Sequence, residues 1–338
     1  MRSACLYFAL IFSMGCSSIF AAYTLQDGRL VDAKTIATMS AVDHYNAGVT
    51  AYQDGDWAEA ARQFIIVSSS YPKSTYAQNA LFYLGISEYN QGELDFSNDA
   101  FSAYMKSKNN PQNFQEAIEY KFAIAKQLGG GTRTHVLGKR KLPKWSCGKE
   151  LALKIYEEVI AALPCHDLAA KALYEKGNLQ WSLSDFRGSV ESFGMLIKRF
   201  PKSELAPESY VTISKVYVEQ SAYEYQNPDV LAFAEINLRR FKQDFPREER
   251  LKEVQEDVLA IKEIYAKGLY ETGQFYERTK KSMASLIYYQ KAIKQFPETQ
   301  VADLCRYRLK VLNPSSAERL SPKADELDPE IPAIKFSK

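Results

Sequence analysis

The sequence predicts an all-α fold, an α-α superhelix of about six stacked helix–turn–helix units, and three observations predict it. The first is the stretch 44–72, HYNAGVTAYQDGDWAEAARQFIIVSSSYP, which reads as two helical patterns around a break at Asp54-Gly55-Asp56. Its small residues, Ala47, Gly48, Ala51 and Ala60, let two helices approach closely, and Tyr52, Trp57, Phe64 and Val67 fill the space between their ridges. Gly55 suits a turn needing φ > 0, and Pro72 has no N–H with which to continue a helix. The second observation is recurrence: Leu173, Gly177, Trp181, Phe186, Ser189, Phe193, Leu196 and Pro201 repeat the pattern, as do Leu81, Gly85, Tyr89, Gly92, Leu94, Ser97 and Phe101. The third is a tag at four helix stops, PKSTYA, PCHDLA, PKSELA and PETQVA, in which Ser74, Ser203 and Thr299 are natural N-caps for the next helix.

This spacing is that of the tetratricopeptide repeat, a helix–turn–helix of about 34 residues. Taken in order, residues 1–22 (MRSACLYFALIFSMGCSSIFAA) have a short positive start at Arg2 and an apolar run too short for an ordinary membrane span, which reads as a secretory signal. Two processing routes are open. Ser13-Met14-Gly15-Cys16 resembles a bacterial lipobox, with Cys16 the lipidated residue and Ser13 a departure from its usual leucine. The alternative is ordinary cleavage near residues 19–22. Ser17 after the cysteine, in place of Asp, suggests the outer membrane under the first route. Residues 23–42 read as a tether and 43–111 as repeats one and two. The third repeat opens with a helix over 114–128 and closes with one over 149–163, around an insertion at 129–148. Repeat four runs over 168–201. Repeat five starts at Leu205 and has a lengthened turn at 225–229, with Asp229 able to cap its second helix. Repeat six has a long first helix over 247–273 and continues to Pro297, a closing helix spans 301–312, and 313–338 is a proline-punctuated polar tail expected to be disordered. Length alone would allow two domains, whereas an array of repeats is expected to behave as one elongated unit.

At 46% hydrophobic and 13% aromatic the 338 residues can bury a continuous core, and a net charge of +2 gives no reason to expect nucleic acid as a partner. The charge is uneven, however. Residues 120–149 hold eight cations and no acid, including Arg133, Lys139, Arg140, Lys141 and Lys144 in the insertion. That insertion reads either as a solvated loop or as a basic arm for an acidic partner or lipid headgroups, whose binding would be salt-sensitive. No Gly-Lys-Ser/Thr follows its glycines, so a phosphate loop is not indicated. His135 and His166 have no companions at ligand spacing, and no metal or cofactor is expected. Cys147 and Cys165 bracket a helix that separates them by roughly 25 Å, too far for a disulfide.

No nucleophile elbow, no His and Cys paired at useful spacing and no zinc motif is found, which points to a binding scaffold rather than an enzyme. The first helices of a repeat array line its inner face. Tyr45, Val49 and Tyr52 fall on one stripe in repeat one, Phe82, Ile86 and Tyr89 in repeat two, and Tyr174, Asn178 and Trp181 in repeat four. These are the candidate peptide-groove residues, because aromatic rings bury much area at little entropy cost.

The stretch GDWAEAARQFIIVSSSYPKSTYAQNALFYLG resembles the opening repeats of the BamD family, lipoproteins of the outer-membrane β-barrel assembly machine. ETGQFYERTKKSMASLIYYQKAIKQFPETQVADLCRYRL resembles that family's C-terminal repeat, through Phe275-Tyr276 and Phe296-Pro297-Glu298-Thr299. The likeness spans 43–312, with distinctive matches in the first two and last repeats; the basic insertion, the expanded turn of repeat five and the imperfect lipobox depart from it. The resemblance implies a periplasmic scaffold, lipid-anchored at the inner face of the outer membrane. Its N-terminal groove would receive unfolded outer-membrane proteins, and its C-terminal repeats would hold a BamA-like barrel subunit beside other assembly-machine lipoproteins. The alternatives are a CpoB-like periplasmic protein coordinating envelope constriction or peptidoglycan synthesis, which has similar proline tags, and a targeting subunit of a peptidoglycan-active enzyme.

Overall fold

The computed structural model describes residues 23–26, 29–32, 36–107, 111–224 and 227–312. The expected signal with Cys16, and the expected tail at 313–338, lie outside them. Two compact units divide the chain, residues 1–164 and 165–338. Within the first, strands β1 (Tyr23–Gln26) and β2 (Arg29–Asp32) pair antiparallel, so the stretch read as a tether carries a hairpin. Six helices follow: α1 (Ala41–Gln53), α2 (Trp57–Ser70), α3 (Ala77–Asn90), α4 (Leu94–Ser107), α5 (Phe114–Gly129) and α6 (Lys149–Ala162), with strands β3 (Arg133–Thr134) and β4 (Ser146–Cys147) between the last two. The second unit holds α7 (Asp167–Ser182), α8 (Phe186–Arg199), α9 (Leu205–Tyr223), α10 (Pro228–Asp244), α11 (Leu251–Arg278), α12 (Ser282–Gln295) and α13 (Gln300–Leu312). No helix among the described residues is long and apolar enough to cross a membrane. The helical-repeat class is as the sequence predicts, and consecutive helices pack on one another within each unit.

One contact recurs and explains the pairing. Gly48, Gly85, Gly177 and Gly273 each face an aromatic ring sixteen residues later, Phe64, Phe101, Phe193 and Tyr289. A Cβ added to those glycines would come within 2.8, 2.7, 2.8 and 2.5 Å of the ring, so only glycine lets each helix pair close to this distance. All four rings are fully buried. Seven residues after each glycine the chain turns at positive φ, at Gly55 (76°), Gly92 (72°), Ser184 (59°) and Lys280 (59°). The cap that follows is an aspartate in two repeats, Asp56 accepting from the Glu59 amide at 3.1 Å and Asp185 from the Gly188 amide at 3.0 Å.

The expected caps hold in part. Thr299 Oγ1 accepts from the Ala302 amide at 3.2 Å, whereas Ser74 and Ser203 accept only from the amides two residues on, in turns that lead into α3 and α9. In repeat five Asn227 caps α10 by accepting from the Asp229 amide at 3.1 Å, so Asp229 is a first-turn acid and not the cap. The long first helix of repeat six begins at Leu251 and runs to Arg278, placing Phe275 and Tyr276 at its end and not in the helix that follows. Lys121, counted with the basic stretch, is fully buried in α5. Its ammonium donates to Asn98 Oδ1 at 2.7 Å and Ser102 Oγ at 2.6 Å and pairs with Glu158 Oε2 at 2.7 Å, tying α4, α5 and α6 together. Burial pulls its pKa down, against the opposing pull of Glu158. Cys147 and Cys165 are exposed free thiols, and Cys305 is buried with its thiol pushed up to about 12 by desolvation, which keeps it unreactive.

Candidate peptide-binding face and docked insertion

The first helices of the N-terminal unit, α1, α3 and α5, present a row of half-buried tyrosines. On α1, Tyr45, Val49 and Tyr52 pack partly against the core of Ala60, Phe64, Val67, Ala80 and Leu84 and leave the rest of their surface open. Tyr45 lies 5.0 Å from Tyr76 and edge-on to Phe64 at 5.9 Å. Tyr52 meets Trp57 at 5.4 Å and Tyr83 of α3 at 5.2 Å, both edge-on. Further along, Tyr89 of α3 meets Tyr120 of α5 at 5.4 Å, and Gln127 donates to the Tyr89 hydroxyl at 2.8 Å. Burial, then neighbouring tyrosine hydroxyls, raise the pKa values of Tyr45 and Tyr52; burial and Tyr52 raise that of Tyr120. Tyr45, Tyr52 and Tyr120 therefore keep their hydroxyl protons and offer donors as well as ring faces.

The sequence stripes map onto this face incompletely. Tyr45, Val49, Tyr52 and Tyr89 lie on it. Phe82 and Ile86 do not: they are 3% and 4% exposed, and Phe82 packs on Phe101 and Tyr104 of α4 at 6.0 and 5.2 Å. Tyr83, one residue on, takes the place expected of Phe82, and Tyr120 completes the row. Tyr174 and Trp181 belong to the second unit. There Tyr174 packs edge-on against Phe193 at 5.5 Å, and Trp181 is pinned by donating its indole N–H to Glu219 Oε2 at 2.6 Å.

The insertion is not a solvated loop. After α5 the chain forms a narrow hairpin, Arg133 opposite Cys147 and Thr134 opposite Ser146, extended by the Val136 amide donating to Pro143 O at 3.1 Å. This arm docks on the turn between α3 and α4. The backbone N–H of His135 and its Nδ1 both lie on Asp95 Oδ2, at 3.0 and 2.9 Å, with His135 and Asp95 7% exposed. Arg140 reaches the buried carboxylate of Glu88 at 2.5 Å, its guanidinium 4.2 Å above the Phe96 ring. Lys144 donates to Gly92 O at 3.0 Å and lies 3.0 Å from Glu93 Oε2 as an ion pair. Burial raises the pKa of Glu88, and Arg140 opposes the shift. Two of the five expected arm cations thus neutralise acids of the first unit, while Arg133 and Lys139 stay exposed.

Glu93, Asp95 and His135 bring one ligand-capable atom each within 4.8 Å of the others. Sequence spacing missed these companions of His135 because they lie some forty residues upstream. His135 and Asp95 are joined by hydrogen bonds, Glu93 Oε2 faces the Lys144 ammonium as an ion pair, and these contacts hold the arm on the first unit.

Residues 37–122, which build the tyrosine face, match the family model described as YfiO, outer membrane lipoprotein, and residues 171–203 match a tetratricopeptide-repeat model. No curated protein sequence matches the chain. Among solved structures, a tetratricopeptide repeat protein from Parabacteroides merdae is similar at 14% identity and TM-score 0.33, over 80% of this chain and 98% of that one. The C-terminal part of a TPR repeat-containing protein from Cytophaga hutchinsonii is similar at 12% identity and TM-score 0.32, over 77% and 98%. The N-terminal repeats of this chain are thus similar to an outer-membrane lipoprotein family, and its repeats are of tetratricopeptide type.

Proposed function

We propose that this chain is a periplasmic scaffold, anchored at the outer membrane through Cys16, that takes part in assembly and insertion of β-barrel outer-membrane proteins. One observation carries the reading: the segment similar to an outer-membrane lipoprotein family, residues 37–122, is the one that builds the tyrosine row of α1, α3 and α5. Extended segments of unfolded barrel proteins alternate apolar and polar side chains. A row of neutral rings with hydroxyl donors suits such a strand, since it supplies contact area without fixing a sequence. On this reading the C-terminal repeats hold the periplasmic domains of a BamA-like subunit, other assembly-machine lipoproteins join the complex, and the mechanism is positioning without covalent chemistry.

The test is purification of the tagged protein from gently solubilised outer membranes, with partners and the N-terminus read by mass spectrometry. A barrel protein with periplasmic repeats and an acylated Cys16 are the expected result. A chain beginning near Ala22, released without detergent and bound to cell-wall or division proteins, would sink the reading and favour the CpoB-like alternative.

A further inference from the structure

The docked insertion has an outward side that those contacts do not use. Leu137 in its loop is 80% exposed and Trp145, just before β4, 72% exposed. The Val136–Pro143 hydrogen bond and the Trp145 amide donating to Pro143 O at 3.1 Å hold the two at the same end of the hairpin. A single exposed apolar residue needs no explanation, but Leu137 sits at φ 54°, where a leucine is strained and Gly or Asn would not be. The turn tolerates strain to present an apolar side chain to solvent. On the same hairpin Arg133, opposite Cys147, and Lys139 are exposed, whereas Arg140 and Lys144 pair with Glu88 and Glu93. The segment 120–149 contributes no acid of its own, and the acids that meet the arm, Glu88, Glu93 and Asp95, face Arg140, Lys144 and His135.

We propose that the outward side of this arm, Leu137 and Trp145 with Arg133 and Lys139, docks on an anionic lipid surface. Indole rings settle at the headgroup level of a bilayer, short apolar side chains enter the acyl boundary beneath, and cations at that depth meet the negative surface potential. An acidic protein would be met by the cations alone. Two side chains at the end of a hairpin also fall far short of the area that a specific protein interface buries. The inference goes beyond the scaffold reading and stands or falls separately, because it needs no barrel partner.

The experiment uses the full chain reconstituted into phosphatidylcholine vesicles, with and without phosphatidylglycerol, whose acyl chains are brominated to quench indoles at the interface. Trp57 and Trp181 also fluoresce, so the Trp145 component is the difference between the wild type and Trp145→Phe. Quenching of that component in anionic vesicles, declining as salt is added, is the expected result. Arg133→Ala and Lys139→Ala should each weaken docking about fivefold. Leu137→Gly removes the side chain but accepts the positive φ, so the hairpin stays folded while quenching falls. Equal quenching in both lipids, no quenching in either, or indifference to Leu137→Gly and to the charge variants would overturn the proposal. An emission shift on adding soluble polyglutamate, with none on adding vesicles, would assign the arm to an acidic protein and overturn it as well.

Discussion

Ser184 and Lys280 occupy the turn position that Gly55 and Gly92 fill in the first two repeats, and both are held at φ 59°. For a residue with a Cβ this region costs about 1–2 kcal/mol, and glycine is free of that cost but loses more chain entropy on folding. The two effects oppose, and the steric one is the larger. Ser184→Gly and Lys280→Gly should therefore each raise stability by about 0.5–1 kcal/mol, read as a shift of the urea midpoint at unchanged slope. A fall in either variant would mean that the side chain makes a contact worth more than the strain. The pattern was half legible in the sequence. Gly55 announced the turn, but nothing in a lone Ser or Lys announces positive φ. Only the constant step of seven from the packing glycine, at Gly177 and Gly273, marks those sites.

At the scale of elements, the helix pairs were readable because small and aromatic residues recur at fixed offsets within one pair. The insertion was not, because its partners are set by the fold: Arg140 and Glu88 stand 52 residues apart, His135 and Asp95 40. A run of cations looks solvated until the acids that receive it are found. Glu88 is 1% exposed, and Arg140 is the cation that compensates its charge. Arg140→Ala should cost about 1–3 kcal/mol at pH 8, the penalty for a buried acceptor left without its partner. The sign of its pH dependence follows from the direction of the shift. The folded-state pKa of Glu88 is already raised by burial, and losing the guanidinium raises it further. Above the ordinary carboxylate value the folded chain then holds a proton that the unfolded chain has lost, so stability falls as pH rises through that window and returns on acidification. Chemical denaturation of Arg140→Ala across pH 5 to 8 measures this slope. The double variant with Glu88→Gln should lack the added slope, and its persistence there would show that Glu88 is not its source.

For the whole molecule, repeat arithmetic identified the correct helices but not which face of each is open. Phe82 and Ile86 are the counterparts of Tyr45 and Val49, one repeat later. In the first repeat that position is half-buried, with Tyr45 beside Tyr76, and in the second it is buried against α4, the second helix of its own repeat. The same motif position therefore exposes different surface in different repeats, according to the side chains it meets on its partner helix. The distinction separates binding from stability. Tyr52→Leu with Tyr83→Leu keeps apolar volume against the core while removing two ring faces and two hydroxyls from the row. It should cost less stability than emptying a core site, about 1–2 kcal/mol for the lost ring contacts with Trp57 and Phe64, and weaken binding of an unfolded barrel-protein segment about tenfold, in the range expected of aromatic anchors. Phe82→Ala empties a buried site and should cost about 3–5 kcal/mol of stability, with affinity per folded molecule preserved. Fluorescence anisotropy with a labelled segment, run beside thermal denaturation, reads both quantities. Affinity lost with Phe82→Ala and kept in the tyrosine pair would reverse the assignment and place the peptide site off the row of α1, α3 and α5.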